Sequence, residues 1–279
     1  MVDGAEHHGS LYVVSTPIGN LRDITLRAID VLRSVDLILA EDTRHSRHLL
    51  DHHGIATPML SYHEHNEARA TSTAIARLRD GRDVALISDA GTPLVSDPGA
   101  RLVGAAAEAG IPVVPIPGPS AVLAALVSSA LGSERFTFFG FLARKGRERH
   151  GALEELSGIR HTSVLYEAPN RVASTLADLA ELGSPERRVV VARELTKQFE
   201  EVRRGTVAEL AAYYESVPPR GEVVIVLEGV TVQALAEDEL RSRARSLRAS
   251  GLSARDVAAA LVREGGASRN LAYRLAHEA

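Results

Sequence analysis

The stretch from Val84 to Gly99 constrains the fold of this chain more than any other. Val84 to Ile87 is a short apolar run after a turn at Asp80-Gly81, the pattern of a strand buried on both faces of a parallel sheet. Ser88 to Gly99 cannot be regular structure. Gly91, Pro93, Pro98 and Gly99 alternate between fixing and freeing the backbone, with Asp89 and Asp97 among them. A helix from Ala100 to Ala109 follows. Ligands of open α/β sheets sit at the carboxyl ends of strands. A connection of this length exceeds what packing requires, so it reads as a functional loop. An elaborate turn is the plainer alternative, but two proline turns and two aspartates are more than a turn needs.

The same pattern recurs along the chain. Leu11 to Ser15 is a first strand ending in Thr16-Pro17-Ile18-Gly19-Asn20, which lacks the spacing of a dinucleotide fingerprint or a P-loop. Thr25 caps a helix with apolar positions Leu26, Ile29, Leu32 and Val35. Asp36 to Ala40 closes on Glu41-Asp42-Thr43-Arg44, and a helix then runs to Gly54. Met59 to Tyr62 is a third short strand, and Glu67 to Arg79 an amphipathic helix. Pro112 to Ile116 breaks on Pro117-Gly118-Pro119-Ser120-Ala121, where Ser120 caps a helix from Ala121 to Ala130. Repeated strand, loop and helix mean a parallel sheet with right-handed crossovers.

A second unit begins near Arg135. Its strands are Thr137–Phe141, Thr162–Tyr166, Arg188–Ala192 and Glu222–Leu227, spaced like a mixed α/β layer. The first leads into the basic run Arg144-Lys145-Gly146-Arg147-Glu148-Arg149. The second ends in Glu167-Ala168-Pro169-Asn170-Arg171, and the third in Arg193-Glu194-Leu195-Thr196-Lys197. From residue 233 no strand appears. Glu237–Ser250 is one helix; Ser253, with Asp256 as a capping box, begins a second that stops at Gly265-Gly266; Ser268 caps a third, Arg269–His277. The last two resemble a helix-turn-helix. The domains expected are residues 10–120, 121–232 and 233–279, with a ligand cleft at the first junction. Residues 1–10 read as a disordered start.

Charge sharpens the ligand. Residues 1–143 hold 11 Arg, no Lys and 16 acids, whereas residues 240–279 hold eight Arg and three acids. The basic segments suit a polyanion, or are solvated helix faces. Arg255, Arg263, Arg269 and Arg274 make a nucleic-acid role for the tail plausible, with a packing hairpin or dimer arm as the alternative. No run approaches a membrane span, there is no cysteine and no signal-peptide pattern, so the cytoplasm is favoured. His63-Glu64-His65 and the histidines at 45, 48, 52 and 53 lack ligand spacing, and no metal is expected. Loops shaped by proline and glycine offer main-chain groups to a small polar molecule. Without a lysine the amino-terminal half lacks a phosphate grip, and Asp89 and Asp97 suit a ribose or a cation such as a sulfonium. A nucleoside without phosphates fits best.

Leu11 to Thr25, Ala40-Glu41-Asp42-Thr43-Arg44, Ser88 to Gly99, Pro117 to Ala121 and Arg193 to Lys197 resemble, in that order, the motifs of the ribosomal RNA small subunit methyltransferase I family, in the tetrapyrrole methylase-like superfamily. The resemblance spans about residues 10–230, and the tail resembles that family's helix-turn-helix. It implies the class III methyltransferase fold: two α/β domains, S-adenosyl-L-methionine in the cleft between them, and a homodimer. It also implies 2′-O-methylation of cytidine 1402 of 16S ribosomal RNA in the small subunit. The cofactor positions carried over are Pro17, Ile18, Gly19 and Asn20; Asp89, Ala90, Gly91, Thr92 and Pro93 with Ser96; and Gly118, Pro119, Ser120 and Ala121. Two departures stand on the RNA side: Ala168 replaces an expected Ser, and Ala143 an expected Pro.

A 2′-hydroxyl is a poor nucleophile, so a base or acceptor is expected near it. Glu167 and Glu194 are the candidates, followed by Glu41 and Asp23, each with an ion pair to a neighbouring Arg as the alternative. Lys197 and Arg171 are expected to position a phosphate or lower the hydroxyl's pKa. Arg144, Lys145, Arg147 and Arg149 are expected, with the tail, to bind RNA. A tetrapyrrole methylase and a non-catalytic ribosome-assembly factor are the competing readings. The basic run argues against the first and the intact cofactor loops against the second.

Overall fold

The computed structural model describes residues 8–183, 185–230 and 235–279, with Arg263 and Glu264 described by backbone alone. The expectations for residues 1–7, for a domain boundary at 232–233 and for the Arg263 side chain fall outside this description. The chain divides into one unit of residues up to 157 with 162–228, and a second of 158–161 with 229–279.

The first unit holds two five-stranded sheets. The first comprises β1 (Leu11–Val14), β2 (Leu37–Ala40), β3 (Met59–Ser61), β4 (Val84–Ile87) and β5 (Val113–Ile116), in the order β3-β2-β4-β1-β5. All its pairings are parallel. β2 and β4 are buried at every residue, because helices cover both faces. Alpha-helices α1 (Leu26–Ser34) and α2 (Thr43–His52) pack one face, and α3 (Glu67–Arg79) and α4 (Ala100–Glu108) the other. Thr25 caps α1 through the Ala28 amide, as its sequence predicts. Leu32 and Val35 are buried as expected, but Leu26, expected on the same apolar stripe, is 81% exposed, and Ala28 is buried in its place.

α5 (Ala121–Ser129) leaves the first sheet and packs on the second. Burying Val122 and Leu126 there stabilises by roughly 1.5–3 kcal/mol each. The second sheet comprises β6 (Phe136–Phe141), β7 (Thr162–Glu167), β8 (Arg188–Arg193), β9 (Glu201–Thr206) and β10 (Val223–Leu227), in the order β6-β7-β10-β8-β9. Only β6–β7 is parallel, so the sheet is mixed, as its strand spacing predicts. α6 (Arg147–Gly158), α7 (Val172–Glu181) and α8 (Val207–Ser216) cover its other face. β9 has no counterpart in the sequence reading. It is an edge strand, and its Glu201, Arg203 and Arg204 give it the charged character that edges carry to resist further pairing. Thr206 and Glu209 then start α8 with a full capping box.

In the second unit α9 (Glu237–Ala249), α10 (Ala254–Gly265) and α11 (Arg269–Glu278) enclose a small core around Leu240, Val257, Leu261 and Leu275. Gly266, at φ +65°, turns the chain between α10 and α11. Ser253 and Ser268 cap as expected. The expected capping box at Ser253 takes another form: the Asp256 carboxylate accepts from the Ser253 hydroxyl at 2.6 Å. Arg274 pairs with Glu237 at 2.9 Å, while Arg255 and Arg269 are exposed.

Candidate active site

Three strand ends of the first sheet are tied into one scaffold. Thr16, after β1, and Gly91, after β4, exchange both backbone hydrogen bonds, at 2.8 and 3.1 Å. The Thr16 hydroxyl donates to the Ser88 carbonyl at 3.0 Å. Ser15 and Thr92 hydroxyls meet at 2.9 Å, and Thr92 donates on to the Pro119 carbonyl at 3.4 Å, after β5. Loop groups that a sheet cannot satisfy thus satisfy one another. The Asp42 amide donates to Asp89 Oδ1 at 3.1 Å, adding the end of β2. Within the loop Leu94 and Ser96 hold φ +73° and +69°, a conformation costing about 1–3 kcal/mol per residue that clusters at functional sites.

This scaffold forms one wall of a cavity of about 360 Å³. The other wall comes from the second sheet: Phe141, Tyr166 to Pro169, and Gly221 to Val224. Ile18, Ala121, Phe141, Tyr166, Val223 and Val224 supply apolar surface. Glu41, Asp89, Asp97, Glu167 and Glu222 supply carboxylates, and the lining holds no lysine or arginine. Burial pushes the Glu41 carboxyl above its ordinary range, and the charges of Asp97 and Asp89 push it further. Asp97 is raised by burial and by Asp89, against a hydrogen bond from Ser88. Burial, with Asp97 and Glu222 nearby, lifts the Tyr166 phenol to about 12.

Of the sequence-nominated cofactor residues, Ile18, Asp89, Ala90, Gly91, Thr92, Ser96, Ser120 and Ala121 line this cavity. The others lie outside its lining. Pro17 lines a small neighbouring pocket beneath the loop, and Pro93 is buried. Gly118 lies against Ser15, where a Cβ would approach to 3.0 Å. Pro119 receives the Thr92 bond, and Asn20 caps a 3₁₀ turn over Leu21–Asp23. Gly19, at φ +154°, lies under the Lys197 side chain; a Cβ there would stand 2.4 Å from Lys197 Cγ. Asp23, on the exposed 3₁₀ turn, is not among the lining residues.

Glu167, nominated as a base with an ion pair to a neighbouring Arg as the alternative, stands in that ion pair. Its side chain is fully buried, and both oxygens are engaged. Oε1 accepts from the Ala168 amide at 2.9 Å and pairs with Arg171 Nε at 3.1 Å; Oε2 accepts from Thr175 at 2.7 Å and from Arg171 at 3.3 Å. Arg171 also donates to the Leu142 and Ala143 carbonyls, which occupies it as well. Arg149, expected on RNA, instead bonds Asp178 at 2.7 Å and Thr175 at 3.1 Å. Arg144, Lys145 and Arg147 remain exposed.

Lys197 sits at the rim, between the two walls. Its ammonium pairs with Glu194 at 2.9 Å and with the cavity residue Glu222 at 3.2 Å. Burial alone would lower its pKa; the two carboxylates outweigh burial and raise it. Glu194 is held below its ordinary range, first by the Lys197 hydrogen bond, and so is a weak base. Glu194 and Thr196 occupy φ +50° and +67°, so this loop too is strained. Gly221, at φ +82°, is glycine because a Cβ there would fall 2.1 Å from Glu194 Oε1. Lys197 is one of only two lysines in the chain, against 30 arginines, a signal that its chemistry is not interchangeable with arginine. The residues that sequence reasoning missed, Phe141, Tyr166, Val223 and Val224, look like ordinary core from their strand patterns.

Comparison with known proteins covers nearly the whole chain. The model of the tetrapyrrole (corrin/porphyrin) methylases matches residues 10–211. Ribosomal RNA small subunit methyltransferase I of Synechocystis sp. is 47% identical over 273 residues, 97% of this chain and 98% of that protein. The protein of the same name from Escherichia coli O157:H7 is 43% identical over 274 residues, 97% and 95% of the two chains. The crystal structure of uroporphyrin-III-C-methyltransferase from Thermus thermophilus superposes with a TM-score of 0.55 at 23% identity, covering 79% of this chain and 94% of that one. It shares the fold.

Proposed function

The chain belongs to the ribosomal RNA small subunit methyltransferase I family, within the tetrapyrrole methylases, and from that premise we propose that it methylates the ribose 2′-oxygen of cytidine 1402 in 16S ribosomal RNA, using S-adenosyl-L-methionine. The observation that carries this reading is the cleft's charge: besides Glu167 and Glu222, which pair with Arg171 and Lys197, the lining holds Glu41, Asp89 and Asp97, and no basic side chain among the described residues. Burial, and then the charge of neighbouring carboxylates, raises the pKa of Glu41 and of Asp97. A ligand bearing a sulfonium and an ammonium relieves that repulsion, whereas a nucleotide's phosphates would add to it. The apolar faces of Ile18, Ala121, Phe141 and Tyr166 fit a purine, and the volume lies in the range of small-molecule sites. The residues present therefore fit this cofactor, with Asp89–Thr92, Ser96, Asp97, Ser120 and Ala121 holding it. When bound, it supplies an electrophilic methyl group on a sulfonium sulfur.

The chain's own residues do the rest. The tied loops fix the geometry in advance, and such alignment can supply up to about 7–11 kcal/mol of a displacement barrier. Lys197, kept as an ammonium by Glu194 and Glu222, places positive charge at the rim where a ribose hydroxyl must lose its proton. Glu194 and the αL backbone around it orient that ammonium. Glu41 carries a raised pKa and is the better proton acceptor of the nominated carboxylates, since Glu194 is paired and Glu167 saturated.

The same reading makes the protein a cytoplasmic homodimer acting on the small ribosomal subunit. Leu123 and Val127, one turn apart on α5, are 52% and 76% exposed and support an apolar contact with a second copy. Arg144, Lys145 and Arg147 on the first unit, and Arg255, Arg269 and the exposed Tyr273 on the second, support contacts to RNA phosphates and bases. Incubation with methyl-labelled cofactor tests the substrate class. Label is expected in 16S RNA of small subunits lacking the modification; label only in a supplied tetrapyrrole, or in neither, contradicts the reading.

A further inference from the structure

A second cavity, of about 480 Å³, opens outside the cleft, lined by Arg193, Glu201, Arg203, Tyr213, Tyr214 and Arg220 among others. Three guanidinium groups face one carboxylate. Glu201 bridges two of them, taking Arg193 Nε at 2.9 Å and Arg203 Nη2 at 2.7 Å. The Arg203 guanidinium also stacks on Tyr213, its carbon 3.9 Å from the ring centroid. The third, Arg220, is exposed and has no acidic partner among the described residues. Tyr214 is 2% exposed, and its buried hydroxyl has no hydrogen-bond partner. A buried, unpaired hydroxyl is costly, so an acceptor entering the cavity recovers that cost. The local balance is positive, and the groups still available are donors: Arg220, the free edges of Arg193 and Arg203, and the Tyr214 hydroxyl.

The position relates this cavity to the cleft. Pro218, Pro219 and Arg220 line it, while Gly221 to Val224 line the cleft. The Cα atoms of Arg220 and Gly221 are about 3.8 Å apart, one peptide unit. On the neighbouring strand Arg193 lines this cavity and directly precedes Glu194, the residue that holds Lys197. One pair of chain segments thus builds both sites.

We propose that this cavity receives a phosphodiester of the RNA strand beside the nucleotide held in the cleft. Guanidinium groups match a phosphate in geometry as well as charge, and the unpaired Tyr214 hydroxyl adds a neutral donor. The inference rests on the RNA reading above, and its test separates the two. Binding of a 16S RNA fragment is measured without cofactor across a salt series for wild type, Arg220→Ala and Tyr214→Phe, together with KM for small subunits and cofactor affinity. Arg220→Ala is expected to weaken RNA binding and raise KM by about threefold to tenfold, and to reduce the slope of log K against log salt by about one, with cofactor affinity unchanged. Tyr214→Phe, which removes one oxygen and keeps the ring, is expected to raise KM in the same direction. Wild-type RNA affinity and slope in Arg220→Ala overturn the proposal. So does protection of wild type, but not Arg220→Ala, by inorganic phosphate against thermal unfolding with RNA binding unaltered, since that assigns the cavity to free phosphate. Because binding is read without turnover, an absence of methyl transfer by wild type would sink the methylation reading and leave this test standing.

Discussion

Glu41 and Asp97 bind their protons more tightly in the fold than in an unfolded chain, through burial and the charge of neighbouring carboxylates, Asp89 foremost among those shared by both. These two groups therefore hold more protons in the folded chain than in the unfolded one above the ordinary carboxyl pKa. Their contribution to stability falls as pH rises from there through the raised values. A cationic ligand that favours the ionised carboxylates reverses this trend, and its affinity rises over the same window. Calorimetric titration of S-adenosyl-L-methionine across a pH series is expected to show Kd falling as pH rises out of the acid range, with a shallower fall in Glu41→Gln. A pH-independent Kd would remove the electrostatic argument for the cofactor. Asp89 was readable in the sequence as a ligand residue; the structure gives it two tasks, lining the cavity and accepting the Asp42 amide. Glu167 was readable as a strand-end carboxylate four residues from an arginine. That Thr175 and the Ala168 amide fill its remaining acceptor sites depends on how α7 packs back on β7, which residue spacing does not encode.

At the scale of elements, the junction between β7 and α7 rests on the Glu167–Arg171 pair. Removing one partner of a buried, hydrogen-bonded ion pair costs about 3–5 kcal/mol. Glu167→Ala is therefore expected to lower the urea midpoint strongly. Glu167→Gln, which keeps the shape, is expected to be milder and to retain methyl transfer per folded molecule. An unchanged midpoint in Glu167→Ala would refute the anchor role. The loops after β1, β4 and β5 were legible because proline, glycine and aspartate mark them directly. The second wall was not: Tyr166, Val223 and Val224 sit on strands whose buried pattern is that of core, and only the facing of two sheets turns them toward a ligand. β9 escaped because an edge strand is charged by design and lacks the alternation that identifies a half-buried one.

The molecule as a whole joins an all-parallel sheet and a mixed sheet in one unit, with the cleft between them, and adds a helical unit with its own core. This organisation was visible in the sequence as a change from strand-loop-helix repeats, through a less regular stretch, to helices alone. The second-copy contact is argued from α5. Val127→Glu places a charge on its most exposed apolar residue and is expected to shift the protein from dimer to monomer in sedimentation equilibrium, with cofactor affinity preserved. Wild type sedimenting as a monomer would withdraw that contact. Joint delivery of a methyl group to one ribose oxygen by the acidic cleft and the Lys197 rim is the reaction proposed for this protein. It is tested most directly by mapping the product: single-turnover reaction on unmodified small subunits, nuclease digestion and mass spectrometry. Wild type is expected to yield 2′-O-methylcytidine at position 1402. Lys197→Met is expected to lower the rate by about 10²-fold, with cofactor affinity unchanged. A methyl group on a base, at another nucleotide, or delivered at full rate by Lys197→Met would contradict it.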